Sequence, residues 1–239
     1  MLEALTTALG ACGLDVWMPL DAAAFDAASA PVAPALRLGS LLPGARAALV
    51  VGSAGRAFFE AFTRARAAGD TAPNPLDRHT RAVVVHAART ALGPLGVAHV
   101  EHFPFLGEAA GGVVIPFQRL GRAAGLAPAS PLGLQIHPIH GAWWAYRALV
   151  VVDVELPPAA PLSDGCAGCP APCIEACPAS AVQLTGFSIP ACHTRRLTAE
   201  PCHLSCAARH ACIRGPDHRY SDAQLAFHMR ASMPKRSGS

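Results

Sequence analysis

The chain has 239 residues, of which 52% are hydrophobic and 15% are charged, a composition that predicts a packed globular protein rather than a disordered one. Its net charge of +3, with a mild excess of arginine after residue 161, falls short of a nucleic-acid-binding surface, so no nucleic-acid partner is expected. The N-terminus lacks the basic start of a secretory signal and no segment has about 18 uninterrupted apolar residues, so we expect a soluble, cytoplasmic protein without a membrane partner.

Residues 1–160 are predicted to alternate between helices and strands. Helical spacing of apolar residues covers residues 2–12, 55–68, 74–92 and 114–126. Strands are predicted at residues 14–20, 45–53 and 97–105, followed by an antiparallel hairpin at 132–138 and 143–156. This mixture predicts an α+β fold. The sequence contains neither a GxGxxG dinucleotide motif after a strand nor a GxxxxGK[ST] phosphate-binding loop.

The Pro-rich segment PPAAPLSDG (157–165) predicts a junction between a domain at 1–160 and a small one at 161–239. Eight of the nine cysteines lie in this second part, and only Cys12 stands apart. In a reducing compartment such a density favours metal ligation over disulfides.

The spacing of the first four cysteines indicates which metal they bind. Cys166, Cys169, Cys173 and Cys177 form C-x2-C-x3-C-x3-C-P, one residue longer than the C-x2-C-x2-C-x3-C-P run of bacterial ferredoxins. A zinc site of four thiolates is the alternative, although zinc sites more often pair two CxxC knuckles across a longer gap. The pattern therefore favours a 4Fe-4S cluster.

The remaining four cysteines, Cys192, Cys202, Cys206 and Cys212, are irregularly spaced. In two-cluster ferredoxins the fourth cysteine of one run ligates the other cluster. By this pattern one cluster takes Cys166, Cys169, Cys173 and Cys212, and the other takes Cys177, Cys192, Cys202 and Cys206. The alternative is a single cluster with the other thiols free or in a separate site. His193, His203 and His210 lie between these cysteines and are interpreted as surface or supporting residues, because eight thiols suffice.

Several segments of the first 157 residues carry a family resemblance. The segment LGLQIHPIHGAWWAYRALVVVDVELP (132–157) resembles the hairpin shared by CblC-type cobalamin-processing proteins and epoxyqueuosine reductase, which places a similar domain before a two-cluster ferredoxin domain. DVWMPL, LLPGARAALVVGS, NPLDRHTRAVVVHAA and IPFQRLGRAAGLA fall in the order and spacing of the CblC family. The resemblance implies a nitroreductase-like, CblC-type cobalamin-binding domain followed by a small ferredoxin-like two-cluster domain.

The resemblance also implies residues that contact cobalamin. The backbone of the first hairpin strand would lie against the corrin amides, at Leu132, Gly133, Leu134, Gln135 and Ile136. Trp144 and Arg147 match the aromatic residue and the arginine of the return strand, and Gln118 matches a helix residue beneath the same pocket. His137 is either a buried core histidine or an approach to the cobalt face, and the family binds cobalamin without a protein ligand to cobalt. No catalytic residue is identified.

Three functions are compatible with these features. The first is an iron–sulfur cobalamin reductase or decyanase that binds base-off cobalamin and receives electrons from its own clusters, with ferredoxin or flavodoxin as the possible external donor. The second is a cobalamin-dependent reductase of an organic substrate, as in epoxyqueuosine reductase or the reductive dehalogenases. The third is a non-catalytic electron-transfer protein or cobalamin carrier. The resemblance favours the first, because Gly112, Val113 and Val114 stand where epoxyqueuosine reductase has an acidic residue.

Overall fold

The structure is a computed structural model that describes residues 1–66, 69–105, 114–127, 130–158 and 162–233. Contacts between Cα atoms divide the chain into two compact units. The first, the sheet unit, comprises Met1–Leu126 and Trp144–Pro161, and the second, the cysteine unit, comprises Ala127–Trp143 and Leu162–Ser239. The structure thus groups residues 127–143 with the cysteines, whereas the sequence predicts a single division at residue 160.

The sheet unit contains four strands and six helices among the described residues. In chain order they are α1 (Leu2–Gly10), β1 (Val16–Asp21), α2 (Ala22–Ser29), α3 (Leu38–Leu41), β2 (Ala47–Ala54), α4 (Ala57–Ala65), α5 (Pro75–Leu92), β3 (His99–His102), α6 (Phe117–Ala123) and β4 (Trp144–Val152). A 3-10 turn at Gly93–Leu95 follows α5.

The four strands form one antiparallel sheet in the order β1-β2-β4-β3. Every residue of β2 is buried, as its nearly continuous apolar run AALVVGSA requires of a central strand. A bulge between Val51 and Gly52 shifts the register of β2 against β4. A Cβ on Gly52 would lie 3.0 Å from the carbonyl oxygen of Ala145, so a residue without a side chain suits the bulge.

Local sequence signals set the helix boundaries. The carboxylate of Asp21 accepts a hydrogen bond from the N–H of Ala24 and caps α2. Pro75 occupies the first turn of α5, where no N–H partner is needed. On α4, Phe58, Phe59 and Phe62 share the buried face.

One predicted strand is wrong. Residues 132–138 form no ladder with β4, and their single β-bridge joins His137 to Gly141. The backbone turns instead, with the N–H of Ser130 bonded to the carbonyl of Leu134 at 2.7 Å and with Gly133 at φ +72°. Pro131 and Pro138 have no N–H to donate to a ladder, which is the physical reason that the apolar pattern fails here.

The cysteine unit consists of short elements. They are α7 (Pro172–Glu175), β5 (Val182–Gln183), β6 (Gly186–Phe187), α8 (Ile189–Thr198), α9 (Pro201–Leu204), α10 (Ala207–His210), a 3-10 turn (Pro216–His218) and α11 (Asp222–Ala231). Strands β5 and β6 form a separate antiparallel pair. One small core brings Leu132, Ile136 and Ala142 together with Cys173, Val182, Ala208 and Cys212. A second core joins Trp143 to Tyr220 and Leu225.

Within the described residues no helix is long and apolar enough to cross a membrane.

Candidate functional site

The first group of thiols, called set one, contains Cys166, Cys169, Cys173 and Cys212. Burial is the largest cause that raises the pKa of Cys166 to about 11, and Asp164 and the thiols of Cys169, Cys212 and Cys173 contribute. Burial also raises the pKa of Cys173, and the neighbouring thiols of Cys169 and Cys212 contribute. The thiols of Cys166 and Cys173 therefore resist deprotonation until a metal displaces their protons.

The second group, called set two, contains Cys177, Cys192, Cys202 and Cys206. Burial raises the pKa of Cys192; Arg196 lowers it, and the thiols of Cys206, Cys177 and Cys202 raise it. Burial likewise raises the pKa of Cys206, which the backbone and guanidinium of Arg209 lower and the thiols of Cys177 and Cys202 raise. The thiols of each group therefore lie close enough to affect one another's pKa, and the assignment of each group to one cluster stays a prediction.

The donor chemistry of both sets fits an iron–sulfur cluster. Four cysteine sulfurs hold a 4Fe-4S cluster, each on a different iron atom. Among the described residues, no group of three or more His, Cys, Asp or Glu side chains is arranged to hold a single metal ion. A cluster needs a wider arrangement of thiols than one ion does, so two sets of four thiols and the lack of a single-ion site are compatible.

The longer gap between Cys169 and Cys173 has a specific conformation. Ala171 lies between Pro170 and Pro172 with φ +55°, and it precedes the first turn of α7. Its N–H points at the Sγ of Cys169, 3.4 Å away. Hydrogen bonds to ligand sulfurs are among the factors that set the potential of a cluster.

Most side chains of the predicted corrin-contacting segment pack or form hydrogen bonds within the cysteine unit. Leu132 and Ile136 belong to its core, and Gln135 donates a hydrogen bond to the carbonyl of Ala127 at 3.1 Å. Leu134 is 40% exposed and available to a ligand. A Cβ on Gly133 would lie 3.1 Å from the side chain of Phe187, so φ and this contact account for the glycine without a ligand.

His137 belongs to a histidine cluster within the cysteine unit, in which the ring of His140 contacts the other two. Its ring stacks on that of His140 at 4.4 Å, and His140 meets His218 edge-on at the same separation. Nδ1 of His137 faces the backbone N–H groups of Ile139 and His140, and therefore acts as an acceptor. Burial, followed by the charges of His140 and His218, lowers the pKa of His137 to about 4. The ring is neutral at physiological pH.

In the sheet unit, Arg147 is held by residues that no sequence motif identified. Its Nε donates to the hydroxyl of Ser53 at 2.8 Å, and its guanidinium lies 5.0 Å from the centre of the Phe58 ring. Burial raises the pKa of Asp77, and the charge of Arg147 partly offsets that effect. Ser53 and Asp77 lie far from Arg147 in the sequence, so only the tertiary structure brings them together.

The other predicted contacts in the sheet unit differ in accessibility. Trp144 is buried and packs edge-on against Tyr146, with the ring centres 4.6 Å apart. Gln118, near the start of α6, is exposed. Two grooves of about 350 and 400 Å³ lie in the sheet unit, and neither is lined by a predicted corrin contact.

Solved structures with the same architecture exist. CblC of C. elegans, a B12-trafficking protein, matches with a TM-score of 0.61 and 14% identity, over 97% of this chain and 92% of that one. The chain has the fold of CblC. An epoxyqueuosine reductase bound to a tRNA stem loop matches with a TM-score of 0.60 and 13% identity, over 94% of this chain and 68% of that one. The enzyme of Streptococcus thermophilus matches with a TM-score of 0.54 and 12% identity, over 98% and 67%.

The suspected relationship of fold to CblC and epoxyqueuosine reductase is thereby confirmed. No protein-family profile matches the sequence, and no curated protein matches it.

Proposed function

We propose that this protein is an iron–sulfur-dependent cobalamin reductase or decyanase. One observation supports the proposal: a chain with the fold of CblC has eight cysteines between residues 166 and 212, whose thiols affect one another's pKa within two groups. In CblC-like folds the substrate is a cobalamin with its lower base detached, as the sequence resemblance implies. A reductase of this substrate needs a source of electrons, and the cysteines would supply it by ligating iron–sulfur clusters.

Each cysteine set would hold one 4Fe-4S cluster. Such clusters supply single electrons at potentials that reach down to about −700 mV. Cys173, Cys192 and Cys202 lie on helices, and the other five cysteines lie in the turns and loops between the elements. Cys173 and Cys212 are buried in an apolar core that limits access of water. Limited exposure to solvent is one of the ways by which a protein adjusts cluster potential.

Cobalamin would be bound by the residues that the sequence resemblance predicts as its contacts. The backbone of Leu132–Ile136 would face the corrin amides, and Leu134 offers an exposed apolar side chain. Arg147, oriented by Ser53, offers a fixed cation to the polar groups of the ring. One electron transferred to the cobalt of cyanocobalamin weakens its bond to cyanide, which leaves as an anion with the bonding electron pair.

The test is an electron paramagnetic resonance spectrum of anaerobically purified, cluster-reconstituted protein mixed with cob(II)alamin. We expect the signal of five-coordinate cobalt without its lower base, and cyanide release from cyanocobalamin when a chemical one-electron donor is added. The unchanged spectrum of free cob(II)alamin would overturn the proposal. Binding without cyanide release would favour a carrier or an electron-transfer protein instead.

A second candidate is a cobalamin-dependent reductase whose organic substrate is carried by RNA. The observation that favours it is a groove of about 400 Å³ along one face of α5, lined by Arg78, Arg81, His86 and Arg89. A structurally similar epoxyqueuosine reductase is bound to a tRNA stem loop. Arginines on one face suit contacts to phosphates, although Asp70 pairs with Arg78 at 2.7 Å.

An RNA-binding measurement separates the two candidates. Fluorescence anisotropy with a tRNA stem loop, at 50 and 200 mM salt, should show tight and salt-dependent binding if the second candidate is right. The double substitution Arg81→Gln and Arg89→Gln should then weaken the binding. If the stem loop binds no better than an unrelated RNA, this candidate is excluded and the cobalamin reductase stands.

A further inference from the structure

A buried arginine lies beside set two. Arg196 is 7% exposed and follows Cys192 by one turn on the same side of α8. Its terminal nitrogens donate to the carbonyls of Ser232 and Met229 at the end of α11. Its Nε is also buried and finds no hydrogen-bond partner among the described residues. The guanidinium group of arginine is a cation in proteins.

A second arginine, Arg209, lies close to Cys206 of set two. Arg209 follows Cys206, the residue that precedes α10, by three positions. Its guanidinium lies 4.9 Å from the ring centre of Trp143 and 4.6 Å from that of Tyr220, while Nε donates to the carbonyl of Ala142 at 2.9 Å. These contacts fix the position of the charge.

No anion neutralises these two cations in the described part of the chain. The ion pairs found there involve other arginines and a histidine, and the partners of Arg196 and Arg209 are carbonyls, a hydroxyl, a thioether and aromatic rings. Uncompensated charge at a partly buried position acts on its neighbours with little screening.

Set one has a neighbour of the opposite charge. Asp164 accepts a hydrogen bond from the N–H of Cys166 at 2.8 Å, which fixes its carboxylate at the start of the first cysteine run. Arg214 approaches the same loop, and it donates to the carbonyls of Gly165 and Ala167. Set one thus has one carboxylate and one guanidinium beside it, and their charges offset each other, whereas two guanidinium groups lie beside set two.

We infer that Arg196 and Arg209 make the cluster site of set two easier to reduce than that of set one, beside which Asp164 lies. The inference rests on the proposed function in assuming that both sets hold clusters. Addition of an electron makes a cluster more negative, so a nearby cation stabilises the reduced form and a nearby carboxylate destabilises it. Arg196 and Arg209 thus raise the reduction potential of the set-two site, so that this site accepts an electron before the set-one site does.

This order has a functional consequence. Electrons supplied to the protein come to rest at set two, the site of higher potential. The set-one site gives up its electron more readily, and it is the stronger reductant toward a low-potential acceptor such as cobalamin. The two sets are therefore unequal, although each contains four cysteines.

The test is a redox titration, followed by electron paramagnetic resonance, of the reconstituted full chain. Arg196→Gln should make reduction of one cluster about tenfold less favourable, a decrease of about 59 mV, and should leave the other cluster unchanged. Arg196→Lys keeps the charge and should stay near the wild-type potential. Arg195→Gln removes an exposed charge from the same helix and is the matched control, which should shift the potential far less.

A second variant tests the inference if Arg196→Gln does not fold or does not take up its clusters. Asp164→Asn retains an acceptor for the N–H of Cys166 and should raise the potential of the other cluster. Equal shifts for Arg196→Gln and Arg195→Gln, or no shift with Asp164→Asn, overturn the inference. Iron and sulfide analysis of the wild type distinguishes this failure from failure of the proposed function, in which clusters are absent altogether.

Discussion

Gly141 packs directly against the backbone carbonyl of Arg214. A Cβ atom on Gly141 would overlap the oxygen of that carbonyl, and the φ angle of Gly141 is +60°. The same contact continues at Gly215, whose own Cβ would collide with the backbone of His140. Two glycines thus hold the loop after His137 against the segment that follows the set-one ligand Cys212.

Replacement of Gly141 by alanine should destabilise the cysteine unit by more than about 2 kcal/mol, because backbone atoms on both sides must move. Gly96→Ala is the matched control, since Gly96 has φ +67° and nothing within 4 Å of its Cβ position. The control should lose only the cost of a left-handed alanine, about 1 kcal/mol. Urea unfolding of the two variants measures the difference, and equal losses would contradict the prediction.

Much of the sheet unit is predictable from the sequence. The helices α1 and α5 and the strand β2 lie within about three residues of their predicted bounds, because each has an unbroken apolar period and a clear terminal signal. Helix α2 was missed, since AAAFDAAS carries only one large apolar residue. The predicted strand at 132–138 failed because its prolines and the left-handed Gly133 override its β-propensity.

The candidate site, like the fold, is only partly predictable from the sequence. Cysteine spacing is a local pattern with a known chemical meaning, so the grouping of eight thiols could be proposed from the sequence. Arg196 and Arg209 are ordinary arginines in the sequence, and only the burial of one and the aromatic packing of the other distinguish them. Ser53 lies 94 positions from Arg147, and no local pattern predicts such a pair.

Cys177 should belong to the second cluster, although it ends the first cysteine run. Cys177→Ala should therefore leave the set-one cluster in place and reduce the iron content from about eight atoms per chain to about four. Cys173→Ala should spare the set-two cluster instead. Iron analysis and the electron paramagnetic resonance signals of the two variants provide the measurement.

The control for this pair is Cys12→Ala, because Cys12 lies in the sheet unit, far along the chain from the other thiols. Its iron content should equal that of the wild type. If Cys177→Ala and Cys173→Ala lost the same spectroscopic signal, the four cysteines of the run would hold one cluster together, and the grouping into two sets would be wrong.

Ala171→Gly should stabilise the cysteine unit. Alanine at φ +55° is strained by about 1–2 kcal/mol, and glycine relieves this strain while the N–H that faces Cys169 stays in place. Glycine also has more conformational entropy than alanine in the unfolded chain, which offsets part of this stabilisation. We therefore expect the free energy of unfolding to increase by up to about 1 kcal/mol. Ala176→Gly, at φ −71°, is the matched control and should be destabilising. Thermal unfolding of both variants gives the comparison, and a loss at both positions would refute the prediction.

His137 should make the stability of the cysteine unit depend on pH. Burial, with the charges of His140 and His218, lowers the pKa of His137 to about 4, whereas an unfolded histidine titrates near 6.5. Between these values the unfolded chain binds a proton that the folded chain does not. The contribution of His137 to the free energy of unfolding is therefore fully present above pH 6.5. It decreases by up to about 3 kcal/mol as the pH falls from 6.5 toward 4.

His137→Asn isolates this contribution, because the asparagine oxygen can accept the N–H groups of Ile139 and His140 in place of Nδ1. The wild type should lose more stability than the variant between pH 7 and pH 5 in urea unfolding, and the difference cancels effects common to both proteins. Nuclear magnetic resonance of the His137 ring gives the pKa directly. A ring that titrates near 6.5 would mean that the folded protein binds this proton as readily as the unfolded chain, and the pH dependence would have to come from another group.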